Sequence, residues 1–600
     1  MRGRTPLGHF RPRVITSGSP AMFDLVIRNG TVVDGSGAPA MTADIGIAGD
    51  RIAAVSATPL PAGREELDAS GLLVTPGFVD IHTHYDGQAT WSGTLSPSSA
   101  HGVTTVVMGN CGIGFAPCRP EDRDRLIKLM EGVEDIPEVV MAEGLPWNWE
   151  SFPEFLDAVA AIPHDVDIAA YVPHSALRVY AMGQRGADRE PARKDDLDRM
   201  VALVREALRA GALGVATSRT LVHRTPGGEL IPSHDAAEDE LQALAGALAS
   251  EGHGVFQTVM DLDDATADED FDLLRRIAER SGRPISFSLL QPLNHPGVWK
   301  RMLDKLDGAA KDGVPISAQV FGRPVGMLLG LDLSFHPFSF HPSYREIASL
   351  PLAERVKALR RPERRARILA ERPIDNGLPF LAHLARYEWM FELGERPDYQ
   401  PSLDRSIAEI AARTGVDARE IAYDMLLERD GRNIILLPRA NYGDGNLDAA
   451  LTMMRHPRTT LGLGDGGAHC GVICDASLPT FMLTYWARDR AADGLTIEEA
   501  VRALTAETAQ AVGLRDRGRI APGFKADVNL IDHGRLTLHA PEMVADLPAG
   551  GRRLHQPATG YVATIVNGRV TRRDDAATGT LPGRLVRGAQ PAPVEDQGSA

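Results

Sequence analysis

The sequence predicts an α/β fold, namely a (β/α)8 TIM-like barrel with a small β-sandwich domain built from both chain ends. Residues 76–515 alternate apolar strand patterns with amphipathic helical patterns, which is typical of such a barrel. Hairpin patterns flank this middle region on both sides. A chain of 600 residues with 43% hydrophobic and 24% charged residues also has the composition of a core-forming globular protein.

Composition argues against several other classes of protein. A net charge of −16 without a basic patch disfavours nucleic acid and anionic membrane surfaces as partners. No run of 18 apolar residues occurs, so no membrane-spanning helix is predicted. The four cysteines are too few for a disulfide framework and fit a reducing compartment. We therefore predict a cytoplasmic protein without nucleic-acid or membrane partners, and the sequence leaves open whether it forms a homo-oligomer.

The two termini carry the least structural signal. Residues 1–21 are basic and rich in Pro and Gly, and they lack the apolar core of a secretory signal. We predict that they form a disordered extension. Residues 578–600 are predicted to be a C-terminal tail.

The β-sandwich is predicted from two segments, residues 22–75 and 516–577. Short strand patterns in both are separated by turn signals, which are Asn29-Gly30, Gly49-Asp50 and Asn567-Gly568. Because neither segment is large enough to form its own core, we expect the two to pack together as one domain.

Eight segments of the middle region are predicted barrel strands, several of them near-continuous apolar runs as burial on both faces requires. They are residues 77–84, 104–109, 167–173, 212–218, 254–260, 284–290, 314–320 and 459–465. Helical periodicity is clear in 194–210, which ends at Gly211, and in 236–250. Functional side chains are expected at the carboxyl ends of the strands.

An insertion at 321–457 is too long for one strand-to-helix connection. Its segment 333–347 is rich in aromatic residues and histidine. We predict that this segment is a lid over the barrel mouth and that Phe335, Phe338 or Phe340 lines an apolar pocket for an acyl chain. A structural or dimerising insertion is the alternative.

Two motifs predict a metal site. In PGFVDIHTHYD (76–86), alternate side chains of a strand share a face, so Asp80, His82 and His84 point together into the barrel. Two imidazoles at this spacing can bind one metal ion. In LGLGDGGAH (461–469), Asp465 ends the last strand, where a carboxylate can ligate the metal and take a proton from water. A turn or helix-capping role is the alternative for this aspartate.

These motifs, inside a barrel flanked by a split β-sandwich, resemble the amidohydrolase superfamily, and more closely its N-acyl-D-amino-acid deacylase (D-aminoacylase) branch. Four further segments carry the resemblance, which covers roughly residues 22–575. They are VVMGNCGIGFAP (106–117), YVPHSALRVYAMG (171–183), ALGVATSRT (212–220) and VGLRDRGRIAPGFKADVNLID (512–532). The resemblance implies a metal-dependent hydrolase of a linear amide, such as an N-acyl-D-amino acid.

The resemblance also implies that Cys111 bridges metal ions. Many members of the superfamily bridge two metals with a carboxylated lysine, but no lysine of the predicted barrel lies at a strand end. A thiolate at the end of strand two can replace it, because metal coordination deprotonates a thiol. A buried apolar cysteine is the alternative.

One departure from the family pattern concerns its histidines at the ends of strands five and six. Here the corresponding positions are Val259 and Leu289, which cannot bind metal. We therefore expect one zinc ion and no tightly bound second ion. Three interpretations stay open: a mononuclear site of His82, His84 and Asp465, substitute ligands such as His174, His223 or His469, or a silent site that binds a ligand without hydrolysis.

Seven polar residues are candidates for substrate binding. They are His174, Arg178 and Tyr180 after strand three, Ser218, Arg219 and His223 after strand four, and His469 behind Asp465. Arg178 can pair bidentately with a substrate carboxylate, and structural packing is the alternative. A hydrolase of cyclic amides or other C–N bonds on the same scaffold also stays open, because fold-level analogy does not separate these reactions.

Overall fold

The computed structural model describes residues 23–374, 379–490 and 492–594. The predicted N-terminal extension, residues 1–21, lies outside the described residues. Within these ranges, every helix is too short or too polar to span a bilayer.

The described part of the chain begins with five strands. They are β1 Phe23–Val32, β2 Met41–Ala48, β3 Arg51–Ser56, β4 Gly63–Asp68 and β5 Leu73–Pro76. The predicted turn at Gly49-Asp50 joins β2 to β3 and is confirmed. The predicted turn at Asn29-Gly30 is wrong, because β1 continues through it. The register against β2 shifts between Ile27 and Gly30, and Asn29 takes a φ of 58°, so this pair forms a β-bulge.

Parallel strands follow in two sheets. The first sheet contains β6 Phe78–Asp80, β7 Val103–Met108 and β8 Asp167–Ala170. The second sheet begins with β9 Val172–Pro173, β10 Gly214–Ser218, β11 Val255–Val259, β12 Ile285–Ser288 and β13 Ile316–Val320. Tyr171 alone separates β8 from β9, so the predicted strand 167–173 contributes to both sheets.

The insertion forms a separate antiparallel sheet and then returns to the parallel strands. Its strands are β14 Val325–Leu329, β15 Phe391–Glu392 and β16 Ile435–Ala440. After it, β17 Thr459–Leu461 pairs with β13 and completes the second parallel sheet. A bridge between Thr83 and Gly466 then links the chain beyond β17 to the chain beyond β6. All eight predicted barrel strands are therefore present and parallel, although two separate sheets contain them.

Four strands of the C-terminal part of the described chain join the sheet that the N-terminal strands began, and four do not. In chain order the eight strands are β18 Val528–Ile531, β19 Thr537–Leu538, β20 Glu542–Val544, β21 Arg553–His555, β22 Ala558–Thr559, β23 Tyr561–Val566, β24 Arg569–Arg573 and β25 Ala576–Ala577. Strands β19 and β22 pair with each other, as do β20 and β21, in two separate two-stranded sheets. Antiparallel pairing of β5 with β18 places both chain ends in one nine-stranded sheet. The predicted turn at Asn567-Gly568 joins β23 to β24 and is confirmed. A stacked sandwich is not evident in this topology and stays a prediction.

The helices pack around the parallel strands and within the insertion. Before the insertion they are α1 Arg123–Glu134, α2 Glu138–Gly144, α3 Phe152–Ala160, α4 His174–Met182, α5 Gln184–Ala187, α6 Lys194–Ala210, α7 Glu238–Glu251, α8 Ala267–Ser281 and α9 Val298–Lys311. Later helices are α10 Pro342–Arg345, α11 Leu352–Leu359, α12 Pro362–Ala370, α13 Ile407–Thr414, α14 Ala418–Gly431, α15 Asp448–Met454, α16 Leu478–Phe481, α17 Ile497–Leu504 and α18 Ala506–Ala511, and residues Met482–Asp489 form a π-helix. The predicted helix 194–210 is α6, which ends at Gly211 in a left-handed conformation.

The insertion has its own hydrophobic core, and the predicted lid segment belongs to it. Phe338 is fully buried there, and Phe335 and Phe340 pack against the same cluster. The Phe338 ring meets the Tyr423 ring edge-on at 5.4 Å between centroids. Phe338 therefore does not line an acyl pocket as predicted, because α14 of the insertion already provides its apolar partners.

The described part of the predicted C-terminal tail packs against the parallel strands. Gly583 forms a bridge with His164, and Leu585 forms one with Ile168 beside β8. Backbone hydrogen bonds fix both contacts, from the Gly583 N–H to the His164 carbonyl and from the Val586 N–H to the Ile168 carbonyl. Residues 583–586 are therefore part of the folded body.

Candidate metal centre

His82 and His84 lie just beyond β6, and Asp465 lies just beyond β17. The Asp465 N–H donates to the His82 carbonyl at 2.9 Å, and the His84 N–H donates to the Gly466 carbonyl at 2.8 Å. Asp465 has a φ of 46°, which turns the chain sharply after the strand. This reciprocal pair of backbone hydrogen bonds holds the two motifs side by side.

Four side chains whose donor atoms could hold a metal ion converge at this point. The Nε2 atoms of His82 and His84 each lie 3.5 Å from Asp465 Oδ1. Cys111 Sγ lies 3.4 Å from His82 Nε2, and the donor atoms of His82, His84 and Cys111 lie within 4.8 Å of one another. The two histidines are 1% exposed, whereas the Asp465 side chain is 19% exposed. The cluster is therefore buried and open on the side of the carboxylate.

Cys111 reaches this cluster from the turn that follows β7. It lies in the 3-10 turn Asn110–Gly112 with a φ of 56°, directly after Gly109, whose φ is 83°. A Cβ on Gly109 would lie 2.4 Å from the Tyr171 carbonyl oxygen, so only glycine fits there. The close approach of the chain at Gly109 fixes the turn that presents the thiol.

The second nitrogen of each imidazole faces a polar partner. His82 Nδ1 lies 2.7 Å from Gln319 Oε1, and His84 Nδ1 lies 3.3 Å from Glu134 Oε1. A proton on each Nδ1 leaves the Nε2 lone pairs directed at Asp465 and Cys111, as metal coordination requires. Nitrogen, sulfur and oxygen donors at this spacing are the set that zinc prefers in proteins.

Burial and neighbouring charges set the protonation of the cluster. Burial lowers the pKa of His82 to about 4, so this imidazole is neutral. Burial opposes a charge on His84, but Glu134 and Asp465 outweigh it and raise the pKa of His84 well above its ordinary value. Burial likewise opposes ionisation of Asp465, but the two imidazoles outweigh it and hold its pKa well below the usual range. Burial raises the pKa of the Cys111 thiol to about 12, so a bound cation is needed to deprotonate it.

Two partners in the centre were not predicted from the sequence. Gln319 is fully buried in β13, and a polar residue inside that apolar strand is the signal that marks it. Glu134 ends α1, 50 residues beyond the His-x-His motif, and no local pattern distinguishes it from other helix-end carboxylates. Its place in the centre depends on the packing of α1.

Two of the predicted substrate-binding histidines lie beside the cluster. His469 Nε2 lies 3.5 Å from Glu134 Oε2. His223 is held by a 2.8 Å hydrogen bond between its Nδ1 and Ser218 Oγ. Burial lowers the pKa of His223 to about 3, and the charges of His469 and His84 contribute. Arg219 is directed elsewhere, because its Nη1 donates to the Ala236 carbonyl at 2.8 Å.

The predicted substrate-binding group of His174, Arg178 and Tyr180 has other partners. His174 Nε2 lies 2.7 Å from Glu240 Oε1, and Arg178 Nη1 donates to Glu240 Oε2 at 2.5 Å, in a fully buried triad. Tyr180 donates to Glu150 Oε1 at 2.9 Å. Recognition of a substrate carboxylate by Arg178 is therefore corrected to a structural role, because Glu240 already occupies its guanidinium.

The positions where the family pattern has histidines hold apolar side chains. Val259 ends β11, and Leu289, which is fully buried, follows β12. In the described part of the chain, His82, His84 and Cys111 are the only group of three or more metal-donor residues whose donor atoms lie that close together. No second donor set compensates for Val259 and Leu289 within those residues.

The parallel strands and the His-x-His, Cys and Asp cluster at their ends fit an amidohydrolase. Residues 65–572 match the amidohydrolase family, so the chain belongs to that family. Among the described residues, this region of similarity contains every helix and every donor of the cluster. It leaves out β1–β3 and β25 and cuts through the ends of β4 and β24.

Known relatives are similar over nearly the whole chain. The D-aminoacylase of Alcaligenes xylosoxydans xylosoxydans is 28% identical over 578 residues, covering 94% of this chain and 97% of the relative. A solved D-aminoacylase, described by a binuclear metal centre with one-metal activation and second-metal attenuation, superposes with a TM-score of 0.63 at 24% identity and covers 94% of this chain and 100% of that one. The N-acyl-D-glutamate deacylase of Bordetella bronchiseptica, solved with zinc and a phosphonate inhibitor, superposes with a TM-score of 0.60 at 22% identity and covers 94% and 99%.

Proposed function

We propose that this protein hydrolyses a linear amide C–N bond, in an N-acyl-D-amino acid or a similar N-acyl compound, with the help of one zinc ion. The observation that carries the proposal is the convergence of His82, His84 and Cys111 beside the ionised Asp465. The similarity to a D-aminoacylase over 94% of the chain supports the choice of a linear amide.

The two parallel sheets are proposed to form one (β/α)8 barrel, residues 76–515, beside a sandwich of residues 22–75 and 516–577. Chain continuity at Tyr171 and the bridge between Thr83 and Gly466 support closure. The group of His82, His84, Cys111 and Asp465 then lies at the carboxyl ends of the barrel strands, where functional residues of such barrels are found.

The residues of the cluster fit one zinc ion. His82, His84 and Asp465 would hold it, and Cys111 is the nearest thiol, as a fourth ligand or a close neighbour. The buried Nδ1 of His84 has no hydrogen bond in the described chain. The His84 ring lies between Glu134 on one side and the cluster on the other. When bound, zinc supplies Lewis-acid polarisation of the amide carbonyl and lowers the pKa of water.

Asp465 is the proton carrier of the proposed reaction. The oxygen of a water molecule adds to the amide carbonyl carbon, and the water proton passes to an Asp465 carboxylate oxygen. The C–N bond then breaks, and Asp465 returns the proton to the departing nitrogen, so the products are a carboxylic acid and an amine. Asp465 is ionised at neutral pH, because, against the effect of burial, the two imidazoles hold its pKa below the usual range, and its carboxylate oxygens can accept that proton.

His223 and His469 are the proposed substrate-binding groups nearest the cluster. His223 lies within the electrostatic influence of His84. His469 lies 3.5 Å from Glu134, and its side chain is 28% exposed, so a substrate can reach it. Ser218 holds His223 in place through their hydrogen bond.

An amine-release assay tests the proposal. Zinc-supplemented protein is incubated with N-acetyl-D-methionine, N-acetyl-D-glutamate, their L counterparts and hydantoin, and free amine or ring opening is quantified by chromatography. Hydrolysis of at least one N-acyl-D-amino acid that Asp465→Asn abolishes is the expected result. Ring opening of hydantoin alone would replace the linear-amide proposal with a cyclic-amide hydrolase.

A ligand-binding protein without hydrolase activity is the second candidate. The observation that favours it is the absence of donor atoms at Val259 and Leu289. Zinc bound at the cluster with no turnover of any of these amides would support it.

A further inference from the structure

The Glu134 carboxylate lies between two histidines of the centre. Its Oε1 is 3.3 Å from His84 Nδ1, and its Oε2 is 3.5 Å from His469 Nε2. Glu134 is 1% exposed, and in the described chain neither its Oε1 nor His84 Nδ1 forms a hydrogen bond. A buried carboxylate is costly unless it is paired, so these imidazoles account for its presence there.

Backbone contacts fix where this carboxylate lies. The His469 N–H donates to the Glu134 carbonyl, and the Cys470 N–H donates to the Asp135 carbonyl at 3.3 Å. Asp135 caps the C-terminus of α1 with a φ of 49°, and its Oδ2 accepts from the Gly471 N–H at 3.1 Å. These hydrogen bonds hold the end of α1 against the loop that follows Asp465, and Glu134 lies where the two segments meet.

The two metal-facing imidazoles are supported differently. His82 lies against the amide of Gln319, whereas His84 faces the carboxyl group of Glu134. A carboxylate on the remote nitrogen of a ligating histidine fixes the ring orientation and raises its basicity toward the metal. The same carboxylate touches His469, which is not one of the converging donors.

We propose that Glu134 is a positioning residue that holds His84 toward the metal and holds His469 at the open side of the site. The inference rests on the proposed function and extends it to a residue outside the ligand set. In this role Glu134 couples metal binding to the position of His469, whose imidazole faces the substrate.

Zinc affinity is the direct readout. Dialysed full-length protein is titrated with Zn²⁺ in competition with a chromophoric chelator. Glu134→Gln keeps the size of the side chain but removes its charge, and we expect about 10- to 100-fold weaker zinc binding. Glu134→Asp keeps the charge on a shorter side chain and should fall between Glu134→Gln and the wild type.

Glu240→Gln is the matched control. Glu240 is also a 1% exposed carboxylate at hydrogen-bond distance from an imidazole, 2.7 Å from His174 Nε2, but it belongs to the separate triad. This variant should bind zinc like the wild type, even where its thermal stability is lower. Wild-type zinc affinity in folded Glu134→Gln would overturn the inference. If Glu134→Gln does not fold, wild-type affinity in Glu134→Asp would overturn it instead. A wild type that binds no zinc would contradict the proposed function and not the role of Glu134 alone.

A double-mutant cycle tests the link to His469. His469→Gln should leave zinc affinity near the wild-type value, because His469 is not one of the converging donors. Combined with Glu134→Gln, it should lower kcat/KM by less than the product of the two single effects, since both variants disturb one contact. Fully multiplicative effects would contradict the coupling of Glu134 to His469.

Discussion

Removal of the Glu240 carboxylate should destabilise the protein strongly and leave the residues of the candidate metal centre unchanged. Glu240 and Arg178 are each 1% exposed, and the Arg178 Nη1 to Glu240 Oε2 distance is 2.5 Å. Glu240→Ala leaves the guanidinium buried with only the Glu190 carbonyl as an acceptor, at 2.7 Å. Breaking a buried ion pair on one side costs about 3–5 kcal/mol in the free energy of unfolding.

Urea unfolding followed by circular dichroism measures this loss, with KM for the N-acyl substrate determined in parallel. Glu238→Ala is the control, because the Glu238–Arg276 pair is exposed and its loss should barely move the urea midpoint. Arg178→Ala should also lower stability while KM stays near the wild-type value. A normal urea midpoint together with a large rise in KM would refute the structural role of the triad and restore substrate recognition by Arg178.

Four further outcomes are expected. Asp465→Asn should lower kcat about 100- to 10,000-fold, as loss of a general base does, with an unchanged circular dichroism spectrum. Phe338→Ala should cost about 3–5 kcal/mol in urea unfolding, because it empties the core of the insertion. Burial lowers the pKa of His101 to about 3, so below about pH 6.5 the unfolded state takes up a proton that the folded state does not. The free energy of unfolding should therefore fall as the pH drops through this window, and less steeply in His101→Gln, as urea midpoints at several pH values will show. Dialysis against a strong chelator should abolish amide hydrolysis, and Zn²⁺ should restore it.

The parallel strands could be predicted from the sequence because each is a local apolar run, and all eight are present. Their ends could not, since β6 stops at Asp80 and β17 at Leu461. The residues beyond them, including His82 and Asp465, are held by loop contacts between distant segments. Asn29-Gly30 has the local pattern of a hairpin turn, but the pairing of β1 with distant strands keeps the chain extended there.

In the candidate metal centre, some residues belong to local sequence motifs, and others are brought there only by packing of distant segments. His82, His84, Cys111 and Asp465 stand in recognisable motifs at predicted strand ends, and the structure brings them together. Glu134 stands in no motif, and packing of α1 alone brings it beside His84. The sequence likewise does not show which side chain a residue contacts. Its local pattern therefore predicts that Arg178 binds substrate, whereas its guanidinium pairs with Glu240 in the structure.

The position of a bound zinc ion tests the central claim most directly. Crystals of the full-length protein soaked in Zn²⁺ can be measured at the zinc absorption edge, where anomalous scattering locates the ion. We expect one strong peak per chain, about 2.0–2.1 Å from the Nε2 atoms of His82 and His84 and next to Asp465 and Cys111. A peak away from these side chains, or a second equally strong peak near Val259 and Leu289, would contradict the proposed one-zinc centre.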